Sequence, residues 1–526
     1  MPSTMSLRLG MAGVAAAVLM SQGAFAQETP KRGGVFRHAV ESESNTYDCH
    51  ATATSFSLQV LAPHYDTLLR FDPMDYTKVI GGLAESWEQS DDGLKYTFKL
   101  HQGVKFHDGS DFDSKDIQAT FDRIRKPPEG IVSSRQGQWQ NIDTIETPDA
   151  NTVVFTLKNP NPAQELLFAN PWNCVYSAEK LAENPNYPAT EVMGTGPFVF
   201  VENIKGSTWT AKRNENYFIK DKPYLDGIEV NFIGGPGIIN ALAGNQVDAA
   251  LFSVVGADQD KLKALNPDIV FQNGPFTITN FITFNMTKAP FNDPKVRKAL
   301  NMAISRAEGE QVLPKISPLT GHGSILFPRG SIADRTPEEI EKLPGMSNDI
   351  EAQRAEAKKL LEEAGVAGMK FTLVNRTIRQ PWEPLGLFFL DQWRKAGLNV
   401  DQVALETPQY FAALQSKNFD VAIDFNNTVS VDPNEVLVKF LPGSPNNYSG
   451  LEDPKIREMF QAQIKATGDE RAKIVKQIEE YYLDNGYVIP GFESKRGVAL
   501  HKDVKGWKLP SSTVLNLQLD TVWLDR

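Results

Sequence analysis

Four polar side chains stand at the end of one strand-like segment and could form a binding site. Residues 419–425 read as a short strand between helical segments, and Asp424, Asn426, Asn427 and Thr428 lie at its end. Loops at the carboxyl ends of strands are where α/β proteins bind small molecules. Amide groups both donate and accept hydrogen bonds, so this run suits a hydroxylated or amide-bearing ligand. An ordinary polar turn is the alternative.

A second group combines two arginines with a tryptophan. Arg376, Arg379 and Trp382 follow a strand-like segment at residues 371–374. An arginine fork beside an aromatic ring can clamp a carboxylate. The alternative interpretation is a pair of solvated loop charges.

Aromatic and amide residues in the first third of the chain could form an opposing wall. Tyr47 and residues 52–57 follow the first predicted strand, and Trp172 and Asn173 end a loop further along. We therefore expect a binding site built from two distant parts of the chain.

Motifs for bond-breaking chemistry are missing from the sequence. It contains no G-x-S-x-G, no H-E-x-x-H and no Walker sequence. Residues 234–237 (GGPG) suggest a nucleotide loop only faintly, because the G-x-G-x-x-G spacing is absent, and a strand-to-helix turn explains them better. The seven histidines form no tight cluster, although a nickel ligand stays open as an alternative. We expect no cofactor.

Composition and the first residues of the chain limit the possible partners and the cellular location of the protein. The formal charge of −11 and the scattered basic residues argue against nucleic acid as a partner. Residues 1–26 resemble a cleavable signal peptide, with a twelve-residue apolar run and Ala24-Phe25-Ala26 before the predicted cleavage point. This run is shorter than the roughly 20 residues that cross a bilayer. We expect a periplasmic protein, in which Cys49 and Cys174 either pair or remain two buried thiols.

Strand and helix signals alternate along the chain and predict an α/β fold. Residues 35–40, 96–100, 152–157 and 370–374 read as strands. Asp113, Asp293 and Asp453 each stand where a side chain caps a following helix. Gly365 and Gly486 follow helical patterns as C-terminal caps.

Several motifs occur in an order that resembles the extracytoplasmic solute-binding protein family 5. They are residues 83–87 (LAESW), 91–98 (DDGLKYTF), 103–109 (GVKFHDG), 194–198 (GTGPF), 213–217 (RNENY), 222–228 (KPYLDGI), 241–248 (ALAGNQVD) and 290–300 (PFNDPKVRKAL). With weaker matches they extend from about residue 33 to 507. The family serves importers of oligopeptides, dipeptides, nickel, opines and some sugars.

The resemblance implies a two-lobe periplasmic binding protein fold, with a ligand cleft between the lobes and an extra subdomain in the first lobe. The implied limits are 27–274 for lobe 1, with the subdomain around 73–190, then 275–489 for lobe 2, and 490–526 for a return to lobe 1. We expect a monomer that captures a solute by lobe closure. It would deliver the solute to an inner-membrane ABC permease with its ATPase subunits. No reaction is expected to be catalysed.

The sequence departs from the peptide-binding members of this family at one informative position. Those members carry an acid just before the Asp432-Pro433 equivalent, where it pairs with a peptide's α-ammonium, and Val429 falls in that slot here. We therefore expect a polar, anionic or hydroxylated solute, such as an opine-like conjugate or an organic acid. An oligopeptide or dipeptide binder, a nickel-complex binder, and a sensor or enzyme using the same cleft are the alternatives.

Overall fold

The computed structural model describes residues 29–44, 46–161, 163–251, 254, 256–321 and 325–526. The predicted signal peptide at residues 1–26 lies outside the described residues. The strands are β1 (Val35–Val40), β2 (Leu69–Asp72), β3 (Asp75–Gly81), β4 (Ala84–Gln89), β5 (Lys95–Leu100), β6 (Ile142–Asp149), β7 (Thr152–Leu157), β8 (Phe198–Ile204), β9 (Thr208–Arg213), β10 (Gly227–Phe232), β11 (Ala249–Ala250), β12 (Ile269–Phe284), β13 (Lys370–Arg376), β14 (Asn399–Leu405), β15 (Val421–Asn427), β16 (Ile489–His501), β17 (Val504–Lys505) and β18 (Trp523–Leu524).

Helices occupy the connections between these strands. They are α1 (Ser55–Leu61), α2 (Ser114–Arg125), α3 (Gln164–Phe168), α4 (Ala178–Glu183), α5 (Pro236–Ala243), α6 (Ala257–Leu265), α7 (Pro294–Met302), α8 (Arg306–Ile316), α9 (Pro337–Glu341), α10 (Ile350–Glu363), α11 (Trp382–Lys395), α12 (Thr407–Gln415), α13 (Pro433–Leu437), α14 (Pro454–Lys465) and α15 (Gly468–Asp484). Short 3-10 turns cover Ala62–His64, Gln136–Trp139, Tyr187–Ala189 and Val438–Phe440.

One large sheet runs through the molecule in the order β14-β13-β15-β12-β16-β11-β1-β10-β9-β8. Its two ends contain the parallel pairs, β13 with β14 and β15, and β1 with β10 and β11. We call the end with β1 and β8–β11 the first lobe and the end with β13–β15 the second lobe. The alternation of strands and helices predicted from the sequence is thus present in both lobes.

Strands β12 and β16 join the two ends of the sheet. They pair antiparallel with each other, while β12 also pairs with β15 and β16 with β11. Their register shifts between Pro275 and Thr279 and again before Phe281, so the ladder is irregular there. The long β16 is stabilised by pairing with β11 and β12, distant partners that local sequence patterns do not reveal.

A separate four-stranded sheet, in the order β4-β5-β7-β6, belongs to the first lobe and packs against α2. Asp113 begins α2 with a capping box, in which its side chain accepts from the Lys115 backbone and Asp116 reaches back to Asp113. This sheet lies within the subdomain predicted at about residues 73–190. The predicted limits of the subdomain and lobes stay predictions.

Two long-range links hold the C-terminal segment and the loop after β1 in the first lobe. Trp507, Leu519 and Leu524 share a buried core with Phe36 and Ile228. Cys49 and Cys174 form a disulfide, which settles the question that the sequence left open. The residues that follow Cys49 are therefore tied to the loop that carries Trp172.

Candidate functional site

A cavity of about 90 Å³ lies between the two lobes, and we call it the inner cavity. Asp424, Asn426, Asn427 and Thr428 line one wall, at the end of β15, and Trp172 lines the wall from the first lobe. The structure thus brings together five of the residues that the sequence singled out. Their role in binding stays a prediction.

The polar run is partly held by the protein itself. The Asn427 side chain donates to Thr513 Oγ1 at 2.9 Å, and its amide oxygen is buried without a hydrogen-bond partner among the described residues. Thr428 and Thr277 face each other, with Thr277 Oγ1 donating to the Thr428 carbonyl at 2.7 Å. An unpartnered amide acceptor in a cavity wall can receive a hydrogen bond from a solute.

Asp424 is paired with a lysine of its own lobe. Lys439 Nζ lies 2.7 Å from Asp424 Oδ1 and donates to the Phe425 carbonyl at 2.9 Å. Burial raises the pKa of Asp424 and lowers the pKa of Lys439, and the attraction between the two charges opposes both shifts. The pair is therefore internally neutralised, which leaves Asp424 poorly suited to hold an ammonium group of a ligand.

A second acid, Glu435, also lines the inner cavity, at the start of α13. Its carboxylate accepts hydrogen bonds from the backbone of Val429 at 2.9 Å, from the backbone of Ser430 at 3.0 Å and from Ser430 Oγ at 2.6 Å. Burial raises the pKa of Glu435 to about 7. The sequence analysis missed this acid, because a glutamate after Asp432-Pro433 looks like an ordinary residue of a helix first turn.

Arg135 is a cation of the inner cavity without a carboxylate partner. Its guanidinium lies 3.9 Å from the centre of the Trp172 ring, and Nη1 donates to the Thr52 carbonyl at 2.8 Å. No carboxylate in the described part of the chain lies within ion-pair distance of it. Burial lowers the pKa of Arg135 to about 9, so the guanidinium remains charged at neutral pH.

The segment before Arg135 is anchored to the loop after β1. Ser134 donates from its backbone to the His50 carbonyl at 2.9 Å and from its hydroxyl to the Ala51 carbonyl at 3.0 Å. These contacts are non-local, and no local motif marks residues 131–138. Sequence patterns therefore gave no reason to select Arg135.

Arg376 is buried in a cage of aromatic rings and is not a solvated loop charge. Only 3% of its surface is exposed. Five ring centres lie within 5.8 Å of the guanidinium, those of Phe56, Trp382, Tyr410, Phe411 and Phe425. Nη2 donates to Thr407 Oγ1 at 2.8 Å, whereas Nε has no partner among the described residues. Burial lowers the pKa of Arg376 to about 10.

Other predicted site residues take part in contacts away from the inner cavity. Arg379 forms an ion pair with Asp258, and Trp382 is buried beneath Arg376. Tyr47 accepts a hydrogen bond from Asn203 at 2.7 Å. Asn173 donates to the Leu167 carbonyl at 2.7 Å. The structure therefore does not place these four in the lining of the inner cavity.

Two further cavities adjoin the inner one. A cavity of about 240 Å³ shares Ala53, Ser134, Phe411 and Tyr448 with it. A crevice of about 520 Å³ shares Gly137, Gln138, Val438 and Ser444. The interlobe space therefore extends beyond the inner cavity in two directions.

Two kinds of feature are absent from the part of the chain that the structure describes. No three His, Cys, Asp or Glu side chains come close enough to hold a metal ion. None of the helices is both long and apolar enough to span a membrane.

Comparison with known proteins identifies the family. Residues 78–448 match the sequence profile of the bacterial extracellular solute-binding proteins, family 5. The chain belongs to this family. Proteins of family 5 are solute-binding components of ABC importers, which bind small solutes such as peptides and deliver them to permeases, and homologues of this chain are binding proteins and not enzymes.

Individual relatives agree with this assignment. The glutathione-binding protein GsiB of Pectobacterium atrosepticum is 29% identical over 381 residues, which cover 72% of this chain and 71% of that protein. The periplasmic binding protein DppA of Helicobacter pylori, solved with the peptide STSA, superposes with a TM-score of 0.82 at 22% identity, covering 94% of this chain and 99% of the other. The binding protein AgaA of A. tumefaciens R10, solved with agropinic acid, gives 0.81 at 24% identity and the same coverage. These similarities confirm the two-lobe fold.

Proposed function

We propose that this protein captures a small, carboxylate-bearing solute derived from an amino acid, such as an opine-like conjugate or an organic acid. The lobes close on the solute and present it to an inner-membrane ABC permease. The observation that carries the proposal is Arg135, a cation in the inner cavity without a carboxylate partner among the described residues.

The charges of the inner cavity favour an anion over an ammonium group. Lys439 already neutralises Asp424, and three donors from Val429 and Ser430 engage Glu435. The acid of the peptide-binding members is replaced by Val429, whose side chain is apolar. Arg135 is left to attract a negative group, and a charged hydrogen bond in a closed cleft is a strong one.

Arg376 and the polar run supply further candidates for recognition. The unpartnered Nε of Arg376 lies in a cage that includes Phe411 and Phe425, two residues that also line the inner cavity. The side chains of Asn426, Asn427 and Thr428 offer donors and acceptors to hydroxyl or amide groups. An amino-acid conjugate presents both an anion and such groups.

The cellular role follows from the same proposal. We place the protein in the periplasm as a monomer that catalyses no reaction, secreted by cleavage after Ala26. The irregular stretch of β12 near Pro275 is where we expect the lobes to hinge. The relatives that bind glutathione and agropinic acid support small solutes of this chemical class.

The test begins with the solute that the protein retains through native purification. Denaturation releases it, and mass spectrometry should identify a small molecule with at least one carboxylate. Calorimetric titration of the stripped protein with glutathione, mannopinic acid and di- to pentapeptides then ranks the classes. Nanomolar binding of ordinary di- to pentapeptides would overturn the proposal.

Replacement of Arg135 tests the anion site directly. Removing one partner of a buried, hydrogen-bonded charge pair costs about 2–5 kcal/mol, so Arg135→Ala should weaken solute binding by at least ~30-fold. Arg32→Ala removes an exposed arginine of the first lobe and should leave the affinity unchanged. Equal affinities of Arg135→Ala and the wild type would contradict the assignment.

A further inference from the structure

The ion pair of Arg379 and Asp258 connects the two lobes. Asp258 lies in the first turn of α6 in the first lobe, and Arg379 lies in the loop after β13 in the second lobe. The side chain of Arg379 is 36% exposed and that of Asp258 is 19% exposed, so both lie at the rim of the interlobe contact. Neither residue lines the inner cavity.

Glu41 adds a second acidic group at the same contact. It follows β1, and its carboxyl group faces the backbone N–H groups of Gly235 in its own lobe and Arg379 in the other. Burial raises the pKa of Glu41, while the positive charges of Arg376 and Arg379 act against this shift. The first lobe thus contributes two acids and the second lobe two arginines. We call Glu41, Asp258, Arg376 and Arg379 the interlobe charge cluster.

An aromatic contact reinforces the cluster. Phe56, in α1 of the first lobe, packs with its ring centre 5.7 Å from the Arg376 guanidinium of the second lobe. Cation–aromatic contacts of this kind are attractive, more so when water is excluded. Rotation of the lobes about β12 and β16 would separate Asp258 from Arg379, Phe56 from Arg376 and Glu41 from both arginines, since these contacts join residues of opposite lobes.

We propose that the interlobe charge cluster is a latch that stabilises the closed state, with Arg379 and Asp258 as positioning residues for capture. The proposal rests on capture by lobe closure and gives Arg379 a role other than the carboxylate clamp that the sequence suggested. Contacts made only in the closed state shift the open–closed equilibrium toward closure.

A latch and a ligand contact affect affinity differently. The apparent dissociation constant of each solute equals its intrinsic value divided by the closed fraction when only the closed state binds. Loss of the latch should therefore weaken binding of chemically different solutes by one common factor. Exposed charges are screened by salt, so the latch should also weaken as ionic strength rises.

Single-molecule fluorescence transfer on the solute-free protein tests the latch without a ligand. Dyes are attached to cysteines introduced at Val201 in β8 and Leu387 in α11, which are both exposed and lie in opposite lobes. The natural cysteines are bonded to each other and do not react. Arg379→Glu and Asp258→Arg should each lower the closed-to-open ratio by ~2- to 5-fold, as expected for an exposed ion pair.

The double variant Asp258→Arg/Arg379→Glu re-forms the ion pair in reversed order and should have a higher closed-to-open ratio than Arg379→Glu alone, while the new carboxylate near Glu41 keeps the ratio below that of the wild type. Added salt should lower the ratio of the wild type and not that of Arg379→Glu. Lys295→Glu, which breaks an exposed ion pair within the second lobe, is the matched control and should change nothing.

Equal ratios for the wild type and both single variants, or a double variant that restores nothing, would overturn the latch. Circular dichroism checks that each variant is folded, and Asp258→Asn is a milder replacement with the same expected direction. Because no solute is present, these outcomes do not depend on whether the solute carries a carboxylate.

Discussion

Glu435 is the cavity residue whose protonation should be visible in the stability of the protein. Burial raises the pKa of its carboxyl group to about 7 in the folded state. The folded protein therefore binds this proton more tightly than the unfolded chain does. The contribution to the unfolding free energy is fully present below the pKa of the unfolded chain and is lost as pH rises through about 7.

Glu435→Gln should remove this pH dependence, because the amide does not titrate. Urea unfolding at pH 5 and pH 7.5 gives the difference in unfolding free energy between the wild type and the variant. We expect the unfolding free energy of the wild type to fall relative to that of Glu435→Gln as the pH rises from 5 to 7.5. Other titrating groups cancel in the comparison, so a difference that stays constant between the two pH values would contradict the assignment.

Residue identity in the cavity was only partly predictable. Asp424, Asn426, Asn427 and Thr428 could be selected because they end a strand that the sequence reveals. Arg135, Glu435 and Lys439 could not, since each reaches the cavity through turns and short helices with no distinctive pattern. The role of such a residue depends on its burial and on the charges near it. Both are determined by distant parts of the chain.

The disulfide between Cys49 and Cys174 is the clearest stabilising device at the level of the elements. It joins the loop after β1 to the loop before α4, across a sequence separation of 125 residues. Removing a native disulfide typically costs about 2–5 kcal/mol. We expect the double variant Cys49→Ala/Cys174→Ala to unfold at a lower urea concentration and at a lower temperature than the wild type.

The same variant should also weaken solute binding. His50 and Ala51, next to Cys49, accept the hydrogen bonds from Ser134 that position Arg135. Calorimetric titration with the retained solute measures this effect, and dithiothreitol should not change the melting of the double variant. An unfolding midpoint equal to that of the wild type would show that the bridge is not stabilising.

Elements with local signals were predictable, and those held by distant partners were less so. Asp293 and Asp453 cap α7 and α14 as expected, and Gly365 adopts the left-handed conformation after α10. These signals depend on a few adjacent residues. The length of β16 depends instead on pairing with β11 and β12, which no local pattern specifies.

At the scale of the whole molecule, the two-lobe fold was available from the sequence through the ordered motifs of the family. The family profile and the TM-scores of 0.82 and 0.81 confirm it. The relation between the lobes was not available, because Arg379 and Asp258 are 121 residues apart and neither belongs to a motif. Arg379 and Asp258 meet across the closed lobes, and only the folded structure brings these distant residues together.

Small-angle X-ray scattering measures closure most directly. The retained solute is removed by reversible unfolding and dialysis, and the radius of gyration is then recorded as the purified solute is added back. We predict a decrease in the radius of gyration that saturates at one solute per protein, because each molecule closes its two lobes around one captured ligand. A radius of gyration that stays the same while calorimetry shows binding would contradict capture by lobe closure.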